Sequence, residues 1–319
     1  MRLDLRSFAV ITLSLLLGLP QAGAWNSVGH MTVAYVAYQQ LTPQQQTRVM
    51  ALLALNPNYN KWKSNIKPGT DPKLQNRLIF AMAATWPDEI RATGSGYKLD
   101  GETPPSTPEA AANIGYKDMN QHDYWHFINQ PFSMDGTALP RTSVPNVMTQ
   151  FRVMRLALAS DESDALKSYD LVWLMHLVGD FHQPMRTSMR VTKDAPQGDG
   201  NSSSIALSGK AHDLRAYWDN LLGVGGTADY PLAVQAAGLL QPPDPAAVAD
   251  LNSIHWLNES QEVAFSHGYA APIGAQTRPA KPYTIEDGSP YAQHALEDAQ
   301  VRVALAGARL ARLLNAELK

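Results

Sequence analysis

Four short segments of the chain carry residue types that can hold a metal ion. In the run from Trp173 to Arg186, His176 and Asp180 stand four residues apart and would face the same way on a helix. An imidazole and a carboxylate so placed can share one metal, or the carboxylate can bridge two. The neighbours Trp173, Leu174, Leu177 and Val178 would bury them, and a buried carboxylate needs a partner. The pair alone reads as readily as a His–Asp hydrogen bond in a core. His30, Asp88 in Trp86-Pro87-Asp88-Glu89-Ile90-Arg91, and His126 between Trp125 and Phe127 are the other three. Each alone is more often a core or surface residue than a ligand; the weight lies in the combination.

The N-terminus adds a fifth group. Arg2 and Arg6 precede an apolar run from Phe8 to Leu19, Pro20 ends it, and Ala22-Gly23-Ala24 follows. This order predicts a secretory signal peptide over residues 1–24, with a run too short for an ordinary membrane span. Cleavage after Ala24 would make Trp25 the first residue. Its free amine and its own carbonyl oxygen could then chelate one ion as a five-membered ring. The mature chain, residues 25–319, would be secreted or periplasmic.

These groups need elements to position them. Of the 319 residues, 45% are hydrophobic and 17% charged, enough for a sizeable core and against general disorder. Net charge is −3, which argues against coating duplex nucleic acid. Without cysteine, disulfides and thiolate metal sites are excluded, so any metal must rest on His, Asp, Glu or backbone groups. Apolar spacing predicts helices over His30–Leu55, interrupted at Pro43, and over Asn76–Ala84, Val147–Ala159, Ser168–Val178, Ile254–Phe265 and Tyr291–Leu318. Ser203–Leu207 could be one arm of a small hairpin. Stretches rich in Pro, Gly, Ser and Thr predict loops at Thr93–Pro108, Pro131–Pro145, Thr192–Ser204, Gly223–Pro245 and Gly268–Pro290. None looks like an interdomain linker, and the candidate ligands are spread along the chain, so an all-α, single helical domain with a minor β-hairpin is expected. No later segment is long enough to span a membrane, and no stable protein partner is expected.

Taken together the motifs resemble the secreted zinc-dependent single-strand nucleases and 3′-nucleotidases, which share a helical fold with zinc phospholipase C. The matching features are Trp25 with Gly29-His30, Trp86-x-Asp88-x-x-Arg91, aromatic-His126-aromatic, and His176-x-x-Gly179-Asp180-x-His182-Gln183-Pro184. Gly198-Asp199-Gly200-Asn201, Trp218-Asp219 and Trp256-x-x-Glu259-Ser260 also match. The resemblance implies one Zn²⁺ held by Asp88, His126, His176 and Asp180. A second would be held by the Trp25 amine and carbonyl, His30 and a bridging Asp180. It implies a hydroxide generated between the ions and attacking phosphorus in line, with Asp88 orienting it and Arg91 binding phosphate. Phe127 would stack an unpaired base and Asn129 would meet its edge. His182 would support the ligands rather than bind metal. Single-stranded nucleic acid or 3′-nucleotides are the implied substrates. The same features leave open a phospholipase C-like esterase and a non-catalytic nucleotide- or phosphate-binding relative.

One departure matters. The family's third zinc uses two His and one Asp; at the corresponding positions this sequence has Arg186, Arg215 and Asp219. Guanidinium cannot ligate zinc, so two zincs are expected. One zinc with one carboxylate and two guanidinium groups with one carboxylate both sum to +1. Arg186 and Arg215, held by Asp219, are therefore expected to replace the ion as a phosphate clamp. The competing accounts are a shifted third site using His212, on the same helix face as Arg215 and Asp219, and a purely structural salt bridge in an inactive relative.

Overall fold

A computed structural model describes residues 25–196, 198, 204–207, 210–276 and 279–319. The signal segment 1–24, the Asp199-Gly200-Asn201 part of one motif and Ser203 lie outside the described residues. The fold is mainly helical, with small sheets.

The central element is the helix Asp164–Phe181. Ser163 caps it, accepting from the Leu166 N–H. From Lys167 to Phe181 every residue is buried, so beyond its exposed first turn this helix has no solvent face and runs through the core. It therefore began earlier and ends later than apolar spacing alone indicated. Val147–Ala159 and Pro43–Leu53 pack along it. Asn146 starts the former with a reciprocal cap from Thr149.

The first helix, Ser27–Gln40, is capped by the Asn26 side chain, which accepts from the N–H groups of Val28 and Gly29. It packs against Pro72–Ala83, Tyr230–Leu239 and the long C-terminal helix Pro290–Glu317. The break expected at Pro43 is a full helix boundary. Thr42 caps the next helix and Pro43 opens it, where a missing N–H costs nothing.

Several predicted loops hold regular structure. Gly223–Pro245 contains the helix Tyr230–Leu239, begun by Pro231 just inside its start. Gly268–Pro290 contains the strand Tyr283–Ile285. That strand runs parallel to Ser204–Leu207, which in turn forms a hairpin with Lys210–Asp213. A second pair, Gln130–Ser133 and Ser188–Val191, is also parallel. These pairings join segments far apart in sequence, and four-residue strands leave little alternation to read. Among the described residues no helix is long and apolar enough to cross a membrane.

Candidate metal centre

The central helix delivers His176 and Asp180 to one point. His176 donates from Nδ1 to the Ala84 carbonyl at 2.8 Å, which fixes its tautomer and leaves Nε2 unprotonated, able to accept. That Nε2 lies 3.4 Å from Asp180 Oδ2, 3.9 Å from Asp88 Oδ1 and 2.9 Å from His126 Nδ1. His126 Nδ1 is 3.5 Å from Asp180 Oδ2, and His30 Nε2 is 3.7 Å from Asp180 Oδ1. Two overlapping groups result, His30 with Asp88 and His176, and His126 with His176 and Asp180. All except Asp88 are buried.

The hydrogen bonding of this cluster is incomplete. Both nitrogens of His30, Nε2 of His126 and both carboxylate oxygens of Asp180 are buried without a hydrogen-bond partner. Burial, with the neighbouring His176 ring and the Arg186 charge, holds the His30 imidazole well below its usual range. Burial acts likewise on His126, and pushes the Asp180 carboxyl well above the usual carboxylate range. Neutral imidazoles facing a buried carboxylate form the donor set of a zinc site. A divalent cation here would engage these atoms and reverse the cost of a charged Asp180.

Two glycines make the assembly possible. A Cβ on Gly179 would lie 2.7 Å from His30 Nδ1, and one on Gly29 would lie 2.6 Å from the Trp25 Cβ. Trp25 is fully buried and lies just before the first helix, its side chain against Gly29. The Asn26 N–H donates to the Asp219 carbonyl at 3.2 Å, and the Asn26 amide donates to Asn220 Oδ1 at 2.7 Å. The N-terminal residues are thus tied to the segment around Asp219.

Asp88 sits on the one-turn helix Trp86–Glu89, and Arg91 Nη1 donates to its Oδ1 at 3.3 Å. Beside the cluster, Phe127 and Asn129 line a cavity of about 350 Å³ with Glu102, Tyr124, Arg141 and Met189. Asn129 adopts φ 47°, an uncommon backbone state outside glycine, and its Oδ1 is buried without a partner.

The arginines expected to form a clamp divide their roles. Arg186 donates from Nη2 to Asp219 Oδ2 at 3.0 Å, and Gln183 donates to Asp219 Oδ1 at 2.5 Å. Arg215 does not pair with Asp219 directly. It lies over the Phe127 ring, 5.9 Å from the centroid, with Glu102 Oε1 at 4.0 Å. Only 5% of Arg215 is exposed, yet its guanidinium makes no hydrogen bond among the described residues. Burial pushes the Asp219 carboxyl up to about 7 although Arg186 opposes it. The shifted site through His212 fails on geometry. His212 belongs to the strand Lys210–Asp213 and is exposed, and the helix carrying Arg215 and Asp219 begins at Leu214.

His182 serves the helix end. Its Nδ1 donates to the Val178 carbonyl at 2.8 Å and its Nε2 accepts from Arg309 at 3.0 Å. Glu259 receives both Arg302 and Arg309, and Ser260 donates to the Phe181 carbonyl. Sequence reading missed Asp123, whose Oδ1 lies 2.7 Å from Arg91 Nε. Its position three residues before His126 was the available signal.

The S1/P1 nuclease family model matches residues 25–319. Nuclease P1 of Penicillium citrinum is 22% identical over 311 residues, covering 91% of this chain and 97% of that protein. Nuclease PA3 of Penicillium sp is 24% identical over 214 residues, 64% and 61% of the two chains. With a match running from Trp25 to the last residue, the chain belongs to the S1/P1 nuclease family, whose hydrolytic action is on phosphoester bonds.

Proposed function

We propose that the protein is a zinc-dependent phosphoesterase that cleaves single-stranded DNA or RNA, or 3′-nucleotides, after removal of residues 1–24. The observation that carries this reading is the convergence of His30, Asp88, His126, His176 and Asp180 on one buried point with five of their polar atoms unpartnered.

In this reading Asp88, His126, His176 and Asp180 would hold one ion, and His30, Asp180 and the Trp25 amine and carbonyl would hold another. Zinc would supply Lewis acidity, lowering the pKa of water and offsetting phosphate charge. The chain's residues do the rest. Asp180 joins the two halves of the centre. Asp88, the most accessible carboxylate of the set at 18% side-chain exposure, orients the attacking water. Arg91 presents its fork to the phosphate. Phe127 offers a face to a base in the adjoining cavity, and Asn129 Oδ1 accepts from that base's edge.

Arg215 is the phosphate contact of the substituted third site. A buried guanidinium without hydrogen bonds is costly to the protein alone, and a phosphate oxygen would satisfy it. Arg186 supplies charge while Asp219 and Gln183 hold it. The mature chain would act outside the cytoplasm.

The deciding experiment uses protein whose N-terminus is verified as Trp25. Zinc is counted by elemental analysis, and digestion is followed on single-stranded DNA and, separately, on phosphatidylcholine. Two zincs per chain with chelator-sensitive DNA cleavage are expected. Three zincs would remove the role given to the arginines. Cleavage of the lipid alone would move the protein to the phospholipase branch, and nucleotide binding without turnover would make it a binding protein.

A further inference from the structure

Arg91 has a second anchor, and it belongs to a separate polar frame. Its Nη1 donates to Asp88, while its Nε forms a close ion pair with Asp123, 2.7 Å from Oδ1, held by charge and proximity rather than by an aligned hydrogen bond. Asp123 and Arg91 side chains are 6% and 10% exposed. Asp123 is itself held from behind. The N–H groups of His122 and Asp123 donate to the two oxygens of Asp100, at 3.1 and 3.3 Å. His122 is fixed in the left-handed region at φ 53°. Its Nε2 pairs with Asp118 Oδ2 at 2.8 Å and its ring stacks on Trp125 with centroids 3.6 Å apart and planes 1° apart. Its Nδ1 lies 3.2 Å from the Tyr124 hydroxyl. A non-glycine residue held at positive φ carries backbone strain and persists where surrounding contacts over-determine it.

From this we propose that Asp123 is a positioning residue for Arg91, set by the Asp100–His122–Asp118 frame. The inference rests on Arg91 acting on the substrate phosphate. Asp88 has two demands on it, since it faces His176 as well as Arg91. An arginine tied to Asp88 alone would follow that carboxylate wherever it is drawn. Anchoring Nε to Asp123 decouples the two. It leaves Nη2, which has no bond to protein among the described residues, directed by an anchor outside the metal cluster. The same turn carries His126, whose N–H donates to the Asp123 carbonyl at 3.4 Å. The frame therefore aligns a phosphate-binding side chain and a candidate ligand together.

The test is a double-mutant cycle on zinc-loaded protein with single-stranded DNA, using Asp123→Ala, Arg91→Ala and the pair. Asp123→Ala is expected to lower kcat/KM about 10- to 100-fold, mostly in kcat, with zinc content and Tm near those of the parent. Asp123→Asn should recover part of the loss. In the Arg91→Ala background Asp123→Ala should add less than about twofold, because its effect runs through the missing guanidinium. Losses that multiply, or a loss that tracks zinc content or Tm, overturn the proposal while the phosphoesterase reading stands. A parent protein that is zinc-loaded yet inert on single-stranded DNA and 3′-nucleotides overturns both.

Discussion

The imidazole of His30 lies nearly parallel to that of His176, with ring centroids 3.6 Å apart and planes 14° apart. The two rings come from the first and the central helix, and both are fully buried. His176 has a hydrogen bond through Nδ1 to Ala84, whereas His30 has none. Stacking two buried imidazoles recovers packing but leaves the lone pairs of His30 and the oxygens of Asp180 unsatisfied. The arrangement is therefore stable on its own only at a cost, and that cost makes several outcomes predictable.

Metal removal should destabilise the protein strongly. Structural zinc contributes about 10–16 kcal/mol in small sites, against a typical net stability of about 5–15 kcal/mol, and there are no disulfides to compensate. Chelation followed by calorimetry should lower Tm by more than about 10 °C, and zinc should restore it. A shift below about 2 °C would rule out buried ions.

Gly179→Ala tests how closely the helices must approach. The new Cβ would meet His30 Nδ1 at 2.7 Å, so the ring or the helix that carries it must shift. Zinc content should fall and stability should drop by about 1–3 kcal/mol. Gly238→Ala is the control, since a Cβ there meets nothing within 4 Å in the helix Tyr230–Leu239. Full zinc loading and an unchanged Tm in Gly179→Ala would contradict the geometry.

These two tests also mark how far the sequence could be read. The i, i+4 spacing of His176 and Asp180 identified both the helix and the face that matters. The helix propensity of the Tyr230–Leu239 stretch was masked by the Gly and Pro residues around it, although Pro231 in fact opens that helix. The replacement of the third-site histidines by Arg186 and Arg215 was visible as substitution. Which arginine would reach Asp219 was not, because that depends on the tertiary placement of the short helix Leu214–Asp219 against the turn Pro184–Thr187. The Asp123–Arg91 contact was hidden for a related reason: it depends on the positive φ of His122, and although histidine enters that region more readily than most non-glycine residues, most histidines do not, so residue type alone does not announce the turn.

Arg215→Met should separate stability from binding. Burial, reinforced by the Arg186 charge, pulls the Arg215 guanidinium below its ordinary range, a sign that the protein holds that charge at a cost. An apolar side chain of similar length should raise Tm by about 2–4 °C. The same change should weaken inhibition by inorganic phosphate at least about tenfold, as loss of one charge-assisted contact predicts. Unchanged phosphate inhibition would remove Arg215 from the substrate site.

Asp170 gives a pH dependence that is independent of the metal centre. It is fully buried in the central helix, and burial pushes its carboxyl up to about 8, with Asn113 opposing. Unfolded, the group titrates near 4. Between these values the folded state binds the extra proton, so stability falls as pH rises from about 4 to about 8 and levels off above. The full loss is several kcal/mol. Asp170→Asn keeps the shape and removes the titration. Melting curves of zinc-loaded protein should show the two proteins close together at pH 5, with the variant several degrees more stable at pH 8. A variant whose Tm falls in parallel with the parent across that interval would show that Asp170 is ionised in the folded state, held there by a partner the buried site does not otherwise display.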